Sequence, residues 1–183
     1  LIGSGQVVFR QWGDYRGGQP FELPVRPSPN LPNSQAIALY PSLCLFEATI
    51  MSVGRGTDKP FQALGHPNAG FGQLVFTPQV KVGEDSNPRH KSKPCYGIDY
   101  QVKGLPKGQI SLTPLIDLYR KAESLGLQLI DQRQLFDLLA GTKKLRSQLA
   151  SGLSEAEIRA SWEADLEAYR RLRAKYLLYE DAR

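Results

Sequence analysis

The chain has 183 residues, 41% of them hydrophobic and 22% charged, with a formal net charge of +5. That length suits one ordinary domain, or one with a helical appendage, and the composition is that of a globular protein with a core of its own. No apolar run reaches the roughly 20 residues that a membrane helix needs, so a soluble chain is expected. The basic residues are scattered over Lys81, Arg89, Lys91, Lys93, residues 143–146 and residues 170–175, with no reader motif, which argues against nucleic acid. Cys44 and Cys95 are the only cysteines and lack the close-spaced partners of a zinc site. Cys44 reads as a small buried hydrophobe, and a disulfide between the two stays open in an oxidising compartment. Residue 1 is Leu and no secretory leader is visible, so the chain is expected to be a processed form or a fragment.

In chain order, residues 1–22 contain a short strand pattern, Val7-Val8-Phe9 with Trp12, between glycine-rich flanks that read as a linker or junction. Residues 23–183 are expected to form the domain proper. Five prolines between Pro20 and Pro32 force an extended segment, because each ring restricts its own φ and the residue before it. Asn33 or Ser34 is placed to cap a short helix through Ala36, Ile37, Leu39 and Tyr40, which Pro41 should stop. The apolar run Leu43 to Thr49 reads as a buried strand. A loop from Ser52 to Lys59 follows, then short strands around residues 61–64, 74–80 and 96–102, with residues 82–94 as a solvated loop.

The last third turns helical. Thr113 and Pro114 form a cap and first-turn pair ahead of Leu115, Leu118 and Ala122. Residues 134–139, ended by Gly141, and 143–150, ended before Gly152, predict two more helices. Ser154 and Glu157 have the spacing of a capping box, and Ile158, Trp162, Leu166, Tyr169, Leu172 and Tyr176 recur at helical spacing as a core-facing stripe. Glu155 with Arg159 and Glu167 with Arg171 should pair on the solvent side. The order of elements predicts an α+β fold, a small mixed or barrel-like sheet followed by helices.

Chemistry-bearing residues gather in one short stretch. Glu47 follows an apolar run, where a carboxylate is costly unless paired or placed in a cleft. Glycines flank Arg55 in Gly54-Arg55-Gly56-Thr57, so the backbone can turn sharply and offer the guanidinium to an anion, or to Glu47 as a structural fastening. Thr57, Asp58, Phe61 and His66 lie close by; Asp58 is placed to cap a turn, and a lone His is either a hydrogen-bonded structural group or an acid/base. No serine or cysteine triad, phosphate-binding loop or second catalytic carboxylate is evident. No metal and no cofactor are expected.

Several blocks in order resemble one family. Residues 27–33, Leu39 to Glu47, Gly54 to Phe61, Gly65-His66-Pro67, Phe136 to Thr142, Ser161-Trp162-Glu163 and Tyr176 to Glu180 are similar to the exo-β-N-acetylmuramidase family, the NamZ-like proteins of peptidoglycan recycling. The resemblance implies a bacterial glycosidase, periplasmic or secreted, that releases terminal N-acetylmuramic acid from the non-reducing end of cell-wall fragments. It also implies that this chain is a barrel-like C-terminal domain, inactive alone. The partner would be an absent N-terminal Rossmann-like domain, which carries the family's proposed catalytic glutamate. In that setting Glu47 and His66 are expected to assist catalysis, and Asn30, Arg55, Thr57 and Phe61 to bind the muramyl glycan, with Arg55 on its lactyl carboxylate. A non-catalytic glycan-binding or protein-interaction module of the same fold is the alternative. Ala48 and Val53 depart from the family pattern, which usually has glycine after the glutamate and often an acid before Gly-Arg-Gly-Thr.

Overall fold

The computed structural model describes residues 23–105 and 109–177, so the expectations for residues 1–22 lie outside the described residues. The described residues fall into two compact units, 23–160 and 161–177.

In the first unit, Asn33 caps α1 (Ser34–Leu43) by accepting the Ala36 N–H at 2.8 Å. Pro41 does not stop this helix. It removes one donor near the end, and the Cys44 N–H still reaches the Tyr40 carbonyl. The chain then tightens into a 3-10 turn, Cys44–Ala48, where a buried strand was expected. Short apolar runs are ambiguous between the two, and here Leu43 with Phe46, and Leu45 with Ala48, are buried at the i, i+3 spacing that a 3-10 turn stacks on one face. Cys44 is half-buried rather than buried, and both cysteines are free thiols.

Three strands, β1 (Ala63–His66), β2 (Leu74–Phe76) and β3 (Cys95–Asp99), pair antiparallel in the order β1-β3-β2. In register, Leu64 faces Ile98 and Val75 faces Tyr96. The two later strands are shorter than predicted. β2 ends before Pro78, which cannot donate to a ladder, and β3 gives way to α2 (Tyr100–Lys103) because Asp99 caps it by accepting the Gln101 N–H at 2.9 Å. Residues 82–94 are only partly a solvated loop: Pro88 is buried, and Asp85, Arg89 and His90 are half-buried.

Four helices follow: α3 (Thr113–Ser124), α4 (Arg133–Ala140), α5 (Lys144–Ala150) and α6 (Glu155–Ala160). α4 packs on the 3-10 turn, burying Phe136, and is tied to α5 by a two-bonded Asp137–Arg146 pair at 2.7 Å. Gly141 ends α4 in the left-handed region. The α3 N-terminus is capped not by Thr113 but from a distance: the Glu155 carboxylate accepts the Leu112 N–H at 3.0 Å and the Thr113 hydroxyl at 2.7 Å. The capping box at α6 forms, with Glu157 accepting the Ser154 N–H at 2.8 Å and donating its own N–H to the Ser154 hydroxyl at 3.3 Å.

The expected final helix is broken. A turn at Ser161 and Trp162 separates α6 from α7 (Glu163–Arg173), which lies in the second unit. Ile158, at the start of the expected core-facing stripe, is buried in α6, but no residue of α7 is buried, and Tyr169 and Leu172 are 60% and 56% exposed, which overturns the stripe beyond α6. Helical periodicity records that one face is apolar; it does not say that anything covers it. Glu155 pairs with Arg159 as expected, whereas Glu167 meets Arg170 in place of Arg171. Helices late and a small sheet early make the architecture α+β.

Candidate functional site

The turn that carries Arg55 depends on its two glycines. Gly54 and Gly56 both have φ of +76°, and a Cβ at either would lie 2.2 Å from the Lys59 carbonyl or 2.3 Å from the Gln79 carbonyl. No other residue fits there. Phe61 is also left-handed, at φ 54°, a conformation that costs a bulky side chain about 1–3 kcal/mol and persists only where the surroundings impose it. Its N–H is held by the Val53 carbonyl at 2.7 Å, and its ring meets Tyr40 edge-on at 4.8 Å. The Arg55 guanidinium lies over that ring, 5.4 Å from its centre. The turn thus lays a cation on an aromatic floor.

Two carboxylates flank this cation. Arg55 Nη2 is 2.8 Å from Glu47 Oε2, and Nη1 is 4.0 Å from Asp85 Oδ2. Arg55 Nε is buried with no hydrogen-bond partner among the described residues. Glu47, Arg55 and Asp85 line a cavity of about 180 Å³ with Met51, Ser52, Val53, Asn87 and Arg89. Burial pushes the Glu47 carboxyl above the ordinary glutamate value, with Arg55 opposing it. Arg89 is itself held at 2.8 Å by Asp131. A lysine locks the two loops together: Lys81 Nζ donates to the Thr57 carbonyl at 2.9 Å and to Asp58 at 2.6 Å.

The residues proposed from sequence separate into two groups. Glu47 and Arg55 meet at the cavity, with Phe61 beneath them; that ring is 1% exposed, so it supports the guanidinium and offers no open face. Asn30, Thr57 and His66 are not among the lining residues. Asn30 donates its amide to the Glu84 carbonyl at 3.3 Å. The Thr57 hydroxyl donates to the Gly54 carbonyl at 2.6 Å and accepts the Lys59 N–H at 3.0 Å, so it is spent on the turn. His66 accepts the Asn68 N–H on Nδ1 at 3.0 Å and meets the His90 ring edge-on at 5.0 Å. Burial lowers both imidazoles, and His90 donates from Nε2 to the Ile50 carbonyl at 2.6 Å. No group of three metal-ligating side chains occurs among the described residues, and no helix there is long and apolar enough to cross a membrane.

Residues 38–179 match the family described as exo-beta-N-acetylmuramidase NamZ, C-terminal. The chain belongs to that family. It is 29% identical over 197 aligned positions to the peptidoglycan beta-N-acetylmuramidase NamZ of Bacillus subtilis (strain 168), covering 94% of this chain but 45% of that protein. A solved DUF1343 family protein from Bacteroides fragilis NCTC 9343 is 40% identical and superposes with a TM-score of 0.81, over 92% of this chain and 48% of that one. A second from the same organism, 19% identical with a TM-score of 0.57, shares the fold. The chain therefore spans about half the length of the relatives it matches.

Both departures from the family pattern find a physical account. Ala48 is buried in the 3-10 turn and is not among the residues with positive φ, so its Cβ meets no backbone objection. Val53 lines the cavity as an apolar wall, and the carboxylate it lacks at this position is present on Asp85, from another loop. Met51, Ser52 and Val53, beside the proposed residues in the chain, and Asp85, Asn87 and Arg89, from a distant segment, are the lining residues that sequence reasoning missed. For the distant three there was little to read. Their signal was a polar segment rich in turn formers, which is also what any solvated loop looks like.

Proposed function

We propose that this chain is the cleft-forming C-terminal half of a peptidoglycan glycoside hydrolase that releases N-acetylmuramic acid from the non-reducing end of cell-wall fragments, periplasmic or outside the cell. A Rossmann-like domain supplies the other wall and the catalytic acid. The observation that carries this reading is the Arg55 guanidinium, backed by Phe61, flanked by Glu47 and Asp85, and exposed at a small cavity. At about 180 Å³ that cavity is smaller than the roughly 300–1,000 Å³ of whole-ligand pockets, which suits one substituent of a sugar better than the ring. The lactyl carboxylate is the substituent that distinguishes muramic acid, and a planar guanidinium at the cavity wall is its natural partner. Glu47 holds the guanidinium in place in the unliganded chain.

The test is Arg55→Ala in the full-length protein on a chromogenic muramoside. KM should rise at least tenfold, and a glucosaminide lacking the carboxylate should show no such loss. Unchanged kinetics on the muramoside would remove the anchoring role. The second reading, a binding module without catalysis, draws on the same observation, since both cavity carboxylates are engaged with Arg55. It predicts muramyl binding without turnover by the full-length protein.

A further inference from the structure

The Arg55 cavity has no spare positive charge for an added anion. Among its lining residues Arg55 and Arg89 supply two positive charges and Glu47 and Asp85 two negative ones, and Arg89 is already held by Asp131 outside the lining. A ligand carboxylate on Arg55 would add a third negative charge. Carboxylates crowded into a partly buried site do not all remain ionised, and one of them takes a proton.

The partners decide which one. Among the described residues, the ion pair of Glu47 is with Arg55, the group the ligand would occupy. Asp85 keeps the Asn87 N–H on Oδ1 at 2.9 Å, and Asp131 keeps Arg89. The other groups around Glu47 offer no replacement. Tyr40 and Cys44, on its own stretch of chain, are neutral near pH 7, both pushed up first by burial. On α4, which packs against the same 3-10 turn, Asp137 is tied to Arg146 and Arg133 is exposed.

We propose that a ligand carboxylate replaces Glu47 on Arg55 and that Glu47 takes up one proton from solvent in the same event, becoming a neutral hydrogen-bond donor at the bound sugar. The inference rests on the reading of Arg55 as a carboxylate anchor. The net charge of the cluster is then unchanged by binding. Because the bound state holds the proton more tightly than the free state, affinity is highest below the free-state pKa of Glu47. Above it, affinity falls by up to tenfold per pH unit until the bound-state pKa is reached.

Calorimetry of the full-length protein with N-acetylmuramic acid between pH 5 and 8, in buffers of different ionisation enthalpy, reads the proton directly. Uptake of up to one proton is expected, along with a fall in affinity as pH rises. E47Q should remove both and bind at pH 8 as tightly as the wild type does at pH 5. N-Acetylglucosamine, which lacks the carboxylate, should take up none. Muramic acid binding that is independent of pH, yet lost in R55A, would overturn the proton uptake and leave the anchor standing. Equal binding of the two sugars, no binding of either, or no effect of R55A would overturn the anchor and the uptake with it. Carboxyl-carbon NMR of Glu47 in the wild type provides a check that does not need the variant: its titration should move to higher pH when the sugar is added, and an unmoved titration counts against the proposal.

Discussion

Glu47 and Glu155 are both partly buried glutamates paired with an arginine, and their surroundings push them in opposite directions. Burial raises Glu47, and Arg55 alone opposes it. At Glu155 burial is again the largest single influence, but hydrogen bonds from the Thr113 hydroxyl, the Leu112 N–H and Arg159 together hold the carboxyl below its ordinary value. One carboxylate is nearly saturated with donors and fastens α6 to the start of α3; the other has one main partner and a cavity beside it. Donor saturation, more than burial or an arginine neighbour, separates a structural carboxylate from one available for chemistry.

The sharpest break of this contrast is Glu155→Ala. It leaves the α3 N-terminus uncapped and Arg159 without its carboxylate, and should cost about 1–3 kcal/mol in chemical denaturation. A loss indistinguishable from zero would make Glu155 a surface residue in energetic terms. The next effect is a matter of sign with pH. A lowered carboxyl contributes stability above the unfolded glutamate value, and that contribution is lost as pH falls through the folded value. A raised carboxyl does the reverse: its penalty is absent in acid and grows as pH rises through the unfolded and then the folded value. Thermal melts should therefore show E155Q less stable than wild type at pH 7 and E47Q more stable, with both differences shrinking towards pH 3. Two variants that shift in the same direction at pH 7 would dissolve the contrast. The smallest effect belongs to α7, where the double change Tyr169→Ser and Leu172→Ser should leave the melting temperature of the chain unchanged; a clear drop would mean that the stripe is covered in solution.

Much of the local structure was legible. Asn33 caps α1, Ser154 and Glu157 form their box, and Gly141 ends α4, because each of these motifs is closed by residues within a few positions of one another. Failures came where distant partners decide. The run Leu43 to Thr49 has the composition of a strand, yet it packs as a 3-10 turn against α4, some ninety residues away. The periodic face of α7 predicted burial, yet none of its residues is buried. At the site, Glu47 and Arg55 were visible because they share one short, otherwise weakly charged stretch. Asp85, Asn87 and Arg89 reach the same cavity from a segment whose composition is that of any polar loop.

By itself the sequence determined the family, the α+β order of elements and the glycine-flanked arginine, since these rest on residue types and short spacings that do not need a folded chain to be read. Only the tertiary structure decided which side chains stand around that arginine. It spent Thr57 on the turn, set Phe61 beneath the guanidinium and brought Asp85 beside it. The two glutamates diverged for the same reason: the protonation of a carboxyl depends on the donors and the water within a few ångströms, and those are set by contacts between segments far apart in the chain.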